Sequence, residues 1–163
     1  YTSEINMRAE AWVRSMADIL KQGVILLIDY GFPRAEFYHP QRSQGTLMCH
    51  YKHHAHDDPL RLVGLQDITT HVDFSAIAEA AIGAGLALAG YTSQAAFLLS
   101  NGLEQIMATS DPDDIRAHLA LTQQIKKLTL PHEMGELYKV IAFGRSVQGP
   151  LPGFTLQDRR GRL

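Results

Sequence analysis

Apolar positions change their spacing several times along the chain, and each change marks a new element. Ile5, Ala9, Trp12, Val13, Met16, Ile19 and Leu20 recur every 3.6 residues, which predicts an amphipathic helix over 5–21 that ends at Gly23. Val24 to Ile28 is a continuous apolar run rich in β-branched residues, the pattern of a strand covered on both faces. Phe74, Ile77, Ala78, Ala81 and Ile82 mark a second helix over 74–83, followed by a strand at 86–91. Helices follow at 94–100 and after Gly102. Asp111-Pro112-Asp113-Asp114 opens another helix, with Asp111 as N-cap, Pro112 at the first helical position and acids facing the macrodipole. Ile115, Leu119, Ile125 and Leu128 form its buried side, and Pro131 breaks it. Residues 138–143 read as the last strand, and 149–163 as a Pro/Gly-rich, then basic, tail that forms an arm or a mobile end.

Between the first strand and the second helix the pattern is different. Residues 32–66 form a long connection holding Pro33, Pro40, Gly45 and Pro59, and loops this long inside a compact domain are usually lids or binding loops. From Asp67 to Asp73 every second residue is polar: Asp67, Thr69, His71 and Asp73. On one extended strand these four would share a face, with Asp73 as N-cap of the helix that follows. A ligand site and a solvated edge strand both fit that spacing. Asp29 and Tyr30 are a second candidate, because they close the first strand at its carboxyl edge, where open α/β sheets hold ligands; an Asp that only satisfies turn amides fits as well.

Composition narrows the choices. With 45% hydrophobic and 20% charged residues among 163, the chain suits one ordinary globular domain with a real core. A net charge of −2 provides no basic footprint for nucleic acid, and no apolar run approaches the ~20 residues of a membrane span. Cys49 is the only cysteine, so no internal disulfide forms and a reducing compartment fits. The histidines His39, His50, His53, His54 and His56, with Asp57 and Asp58, invite a zinc reading. Their spacing matches neither H-x-x-x-H on a helix nor a cysteine-containing finger, so no metal is expected. Gly83-Ala84-Gly85 follows a helix rather than a strand and is no dinucleotide loop.

Several blocks resemble one family of proteins in order. Leu26-Leu27-Ile28-Asp29-Tyr30-Gly31 resembles an "LLIDYG" strand end, and Gly45-Thr46-Leu47 a "GTL" turn. His54-Ala55-His56 with Pro59 is similar to "H-x-H-x-x-x-P", and Gly64 to Phe74 to "PG-x-x-D-[IL]-T-x-x-V-D-F". Gln94 to Leu99 resembles "TQ-x-x-FL", and Met134 to Val140 resembles "MG-x-x-F-K-V". The chain thereby resembles the MidA-like S-adenosylmethionine-dependent methyltransferases of bacteria and mitochondria, whose mitochondrial branch serves complex I assembly.

That resemblance implies an α/β fold: the carboxyl-terminal half of a class I (Rossmann-like) methyltransferase, with a largely parallel sheet and one antiparallel strand. Residues 24–30 would be the fifth strand, 86–91 the sixth, and 138–143 the antiparallel seventh between them. It implies S-adenosylmethionine as cofactor and a protein side chain, an arginine in some relatives, as methyl acceptor. Asp29, Asp67 and Asp73 would be the catalytic carboxylates, with Tyr30, Thr69 and His71 as substrate-binding neighbours. The family's Gly-rich cofactor loop has no match here, so the cofactor residues are expected upstream, and this chain alone is expected to be inactive. Tyr1 in place of an initiating Met fits a fragment or a processed form. A protein substrate, possible homodimerisation, and a location in the bacterial cytoplasm or the mitochondrial matrix complete the expectation. Two rivals remain: a non-catalytic assembly factor that kept the fold, and a metal-binding module built on the His-rich loop.

Overall fold

The computed structural model describes residues 1–111 and 113–163. Helix α1 (Met7–Ile19) starts at Asn6, whose side chain accepts a hydrogen bond from the Ala9 amide. It leads into β1 (Gly23–Phe32), a strand longer than its apolar run. The short α2 (Arg34–Phe37) follows. Next come β2 (Met48–Tyr51), β3 (His54–His56), β4 (Asp67–Thr69) and β5 (Val72–Asp73). Helix α3 (Phe74–Gly83) is capped by the Asp73 side chain, which accepts from Ala76 N at 3.1 Å. The chain continues through β6 (Ala87–Ser93), α4 (Gln94–Ser100), α5 (Leu103–Ala108), α6 (Ile115–Thr129), α7 (Met134–Leu137) and β7 (Tyr138–Arg145). Among the described residues, no helix is long and apolar enough to cross a membrane.

The main sheet has the order β5-β1-β7-β6. Strand β7 lies between β1 and β6 and runs against both. Only β5 is parallel to β1, through two residue pairs, Gly31↔Val72 and Phe32↔Asp73. The sheet is therefore mostly antiparallel, which corrects the expected largely parallel one. The physical reason is the inserted β7: one reversed strand in the middle makes both of its ladders antiparallel.

A second sheet, β3-β2-β4, is folded from the long connection. Lys52 and His53, both at positive φ, make the two-residue hairpin between β2 and β3. Strand β4 pairs with β2, whereas β5 pairs with β1. The polar alternation from Asp67 to Asp73 is thus divided between two sheets, and the expectation that its four residues share one face is not met. The chain crosses over at Thr70 and His71.

The larger core packs Val13 and Ala17 of α1 and Phe74, Ile77 and Ala81 of α3 against Tyr91, Ile141 and Phe143 of the sheet. On the opposite face, Val140 and Ala142 pack with Phe154. The tail is an integral part of this second face rather than a mobile end. The Phe154 ring lies over Gly90, where any side chain would collide with it. Arg159 N donates to Tyr91 O and Arg160 Nη1 to Leu88 O, so the tail covers the outer edge of β6. Helix α6 begins at Asp114, which accepts from Ala117 N, three residues after the expected Asp111 cap. Pro112, expected at the first helical position, lies outside the described residues.

Candidate functional site

The carboxyl tip of β1 is where polar side chains converge. A side chain on Gly31 would run into the backbone of Val72, so this glycine lets β5 approach the tip of β1. The close approach sets His71 beside two β1 aromatics, edge-on to Tyr30 at 5.3 Å and to Phe32 at 4.9 Å between ring centroids. Tyr30 also stands edge-on to Tyr138, at 5.5 Å. The His71 amide donates to Thr46 Oγ1 at 2.9 Å. Thr46 is itself held by Glu4, whose carboxylate accepts from Thr46 N at 2.8 Å and Leu47 N at 2.6 Å. The backbone around His71 is therefore fixed from both sides.

The electrostatics favour a neutral imidazole. Burial pushes the His71 pKa below its usual 6.5, and the Arg42 guanidinium pushes it the same way. Its Nδ1 is buried without a hydrogen-bond partner. Behind it, between the first ten residues and α3, lies a cavity of about 50 Å³, room for a water or two. Asp29 is exposed on the same strand tip, and its Oδ1 accepts from the Tyr30 amide at 2.8 Å. Arg42 covers the Phe32 ring, 4.0 Å from its centroid.

The other candidates lie elsewhere or are already engaged. Asp73 caps α3 and faces Arg34 Nε at 3.6 Å, and Arg34 is further held by both carboxylate oxygens of Glu79. Asp67 is exposed on the smaller sheet, opposite His50. Thr69 donates its hydroxyl to Met48 O at 3.2 Å. The structure thus sets His71 against Tyr30, leaves Asp29 exposed at the same strand tip and Asp73 nearby in a capping role, and sets Asp67 and Thr69 apart. Cys49 is fully buried, and burial pushes its thiol pKa up, so it is a small core group. Among the described residues, no group of three or more His, Cys, Asp or Glu is placed to hold a metal ion.

Sequence reasoning missed a second cluster at the same sheet edge. Lys139, directly across from Asp29 in the β1–β7 ladder, is 6% exposed. Glu136 is gripped by both terminal nitrogens of Arg159, at 2.7 and 2.8 Å. That contact holds the Glu136 carboxyl below its ordinary range. The available signal was a lysine directly before the apolar run Val140 to Phe143 of β7.

Against this geometry, comparison with known proteins is decisive at the level of family. Residues 1–92 match the family model described as "Putative S-adenosyl-L-methionine-dependent methyltransferase". The chain belongs to this methyltransferase family. The family's cofactor is S-adenosylmethionine. No curated protein matches the chain. A crystal structure of an uncharacterised superfamily protein from Burkholderia thailandensis is 52% identical, with a TM-score of 0.98 over 100% of this chain and 44% of that one. Another, of a member of the same superfamily from the same organism bound to S-adenosyl-homocysteine, is also 52% identical. Its TM-score is 0.96, over 99% of this chain and 42% of that one. The chain therefore spans less than half the length of these methyltransferase-family structures.

The glycines test whether these residues suit an adenosyl cofactor. A cradle for such a ligand needs glycine where a strand turns into a helix, so that backbone N–H groups can approach it. Gly31 is filled by Val72, Gly90 by Phe154, Gly135 by the Thr129 backbone and Gly153 by Phe97. The turns from β5 into α3 and from β6 into α4 are made by Asp73 and Ser93. Among the described residues, no strand-to-helix turn has a glycine left open to a ligand, and the residues present do not form the cofactor's cradle.

Proposed function

We propose that this chain is the acceptor-binding, carboxyl-terminal part of an S-adenosylmethionine-dependent methyltransferase that modifies a protein side chain, with an arginine guanidinium as the preferred acceptor. The observation that carries this reading is a neutral His71 held edge-on to Tyr30 at the strand tip that also presents the exposed Asp29. A carboxylate there can orient a guanidinium through paired hydrogen bonds, and a neutral imidazole can accept an N–H. The residues of this chain bind and align the acceptor; alignment accounts for much of the catalysis in a group transfer.

The cofactor cradle, in this reading, belongs to chain outside these 163 residues. The family structures are more than twice as long, and among the described residues β1 has an unpaired edge from Gly23 to Tyr30. A groove of about 680 Å³ between α1 and β1, walled by Trp12, Met16 and Leu26, lies along that edge. The 163-residue chain alone would then be inactive.

Calorimetric titration of S-adenosylmethionine into the longest natural form and into this chain tests the reading. Binding by the long form only, with methyl transfer to protein lost in Asp29→Asn, is the expected result. Binding by this chain alone would refute the division of labour. Binding by neither would favour a non-catalytic assembly factor, the second reading, which the absence of an open cradle glycine among the described residues supports.

A further inference from the structure

Beside the candidate site, and sharing Phe32 with it, a cleft of about 210 Å³ opens at the carboxyl ends of β1 and β6. Tyr91 lies at its base, 1% exposed, and its buried hydroxyl has no hydrogen-bond partner. Tyr91 shares the cleft lining with Glu36, Glu136, Arg159 and Arg162, whose charges act on its phenol. Lys139 forms a second wall. Its ammonium donates to the main-chain carbonyls of Glu136 and Leu137, both neutral acceptors, and lies 5.7 Å from the Phe32 ring centroid.

The charges of the cleft do not cancel. Lys139, Arg159 and Arg162 face two carboxylates, Glu36 and Glu136, which leaves one positive charge over. Arg159 takes both oxygens of Glu136, and Arg162 stands 3.7 Å from Glu36. Lys139 alone has no carboxylate partner among the described residues. A buried ammonium held only by neutral carbonyls and a buried O–H without a partner are both unfavourable, and one anionic acceptor group between them would satisfy both.

We infer that this cleft is a binding pocket for a single carboxylate, one oxygen accepting from Tyr91 Oη and the other from Lys139 Nζ, with Phe32 and Pro33 against its aliphatic stem. One unit of excess charge matches a monoanion and not a phosphate dianion. A neutral amide offers one acceptor oxygen in place of two and no charge to balance the ammonium. The inference goes beyond the methyltransferase reading and does not depend on it.

The test is calorimetric titration of N-acetylglutamate into the longest natural form, with N-acetylglutamine and inorganic phosphate as comparators. Tyr91→Phe and Lys139→Met are titrated alongside, and every variant is also titrated with S-adenosylmethionine. N-acetylglutamate is expected to bind at least about tenfold more tightly than N-acetylglutamine, with Tyr91→Phe weakening it about fivefold and Lys139→Met about tenfold or more. Affinity for S-adenosylmethionine stays the same throughout, so failure of the cofactor reading is seen separately. A glutamate-containing peptide that binds more tightly than the free acid assigns the carboxylate to a protein substrate, and the reverse order assigns it to a small molecule. Equal binding of acid and amide, tighter binding of phosphate, or no loss in Tyr91→Phe would overturn the proposal. Tyr91→Phe removes only an oxygen that has no partner, so its melting temperature without ligand should not fall. A clear fall would mean that the hydroxyl is already bonded within the protein, which is also fatal to the pocket. Should Lys139→Met not fold, Tyr91→Phe decides alone.

Discussion

The two edges of the main sheet are finished in different ways. At β6 the tail lies along the edge, with Arg159 and Arg160 donating to the Tyr91 and Leu88 carbonyls, and the neighbouring β7 is buried on both faces. At β1 the edge from Gly23 to Tyr30 carries no strand among the described residues, and Val24, Leu26 and Ile28 are 39%, 43% and 50% exposed. Trp12, Met7 and Ile19 of α1 are exposed as well. An edge this long, flat and apolar is one that proteins ordinarily pair or cover. The apolar run from Val24 to Ile28 is written for a strand covered on both faces, yet this chain covers only one. A sequence can thus encode an apolar strand that the residues folding around it cover on one side only.

The largest effect should come from the covered side. Phe143→Ala, at a fully buried position in β7, should cost about 3–5 kcal/mol in denaturant unfolding. A loss under 1 kcal/mol would mean that this flank is as loosely packed as the other.

A smaller effect, of about 1 kcal/mol, is expected where the tail is clamped to that flank by Arg159 and Glu136. The folded-state pKa of Glu136 lies below its ordinary 4.5, chiefly because of the Arg159 hydrogen bond. The folded state therefore holds the carboxylate more strongly than the unfolded state does. Its contribution is present above about pH 4.5 and disappears as pH falls through the lower folded value. Arg159→Met should thus be less stable than the parent at pH 7 and nearly equal to it near pH 3. Denaturant midpoints at the two pH values measure this, and a deficit that persists in acid would point to lost packing instead.

The smallest effect in this chain should be Leu26→Ser, within about 0.5 kcal/mol, because the side chain already meets solvent. In the longest natural form the same change should cost about 2 kcal/mol or more, as burial of a leucine requires. Equal effects in the two forms would remove the distinction between the edges.

Much of this arrangement could be read from the sequence, and the misreadings share a cause. Helix α3 and helix α4 begin and end where their periodicity places them, because Asp73 and Ser93 are local capping signals. Strands β1, β6 and β7 were legible as apolar runs, and β7 does lie between the other two. The β2–β3 hairpin was not, since its turn is Lys52-His53, without the Asn or Gly that usually supplies positive φ. Alternation from Asp67 to Asp73 looked like one strand because a period of two is the same on either side of a crossover between sheets. At the candidate site, Asp29 and His71 could be named from position and type. The closeness of His71 to Tyr30 could not, because it depends on Gly31 admitting β5, a contact between residues 41 positions apart. Lys139 and Tyr91 were overlooked because buried polar groups look like core until their partners are counted.

The Glu4 carboxylate gives the first residues of the chain an unusual status. It fastens Thr46 and Leu47, and Thr46 in turn accepts the amide of His71. The orientation of an imidazole in the middle of the chain is thus inherited from a residue near its start, through two links that no sequence neighbour supplies. For a protein engineer, that opening segment is part of the candidate site's framework, and a substitution at Glu4 would reach His71 from far away in sequence.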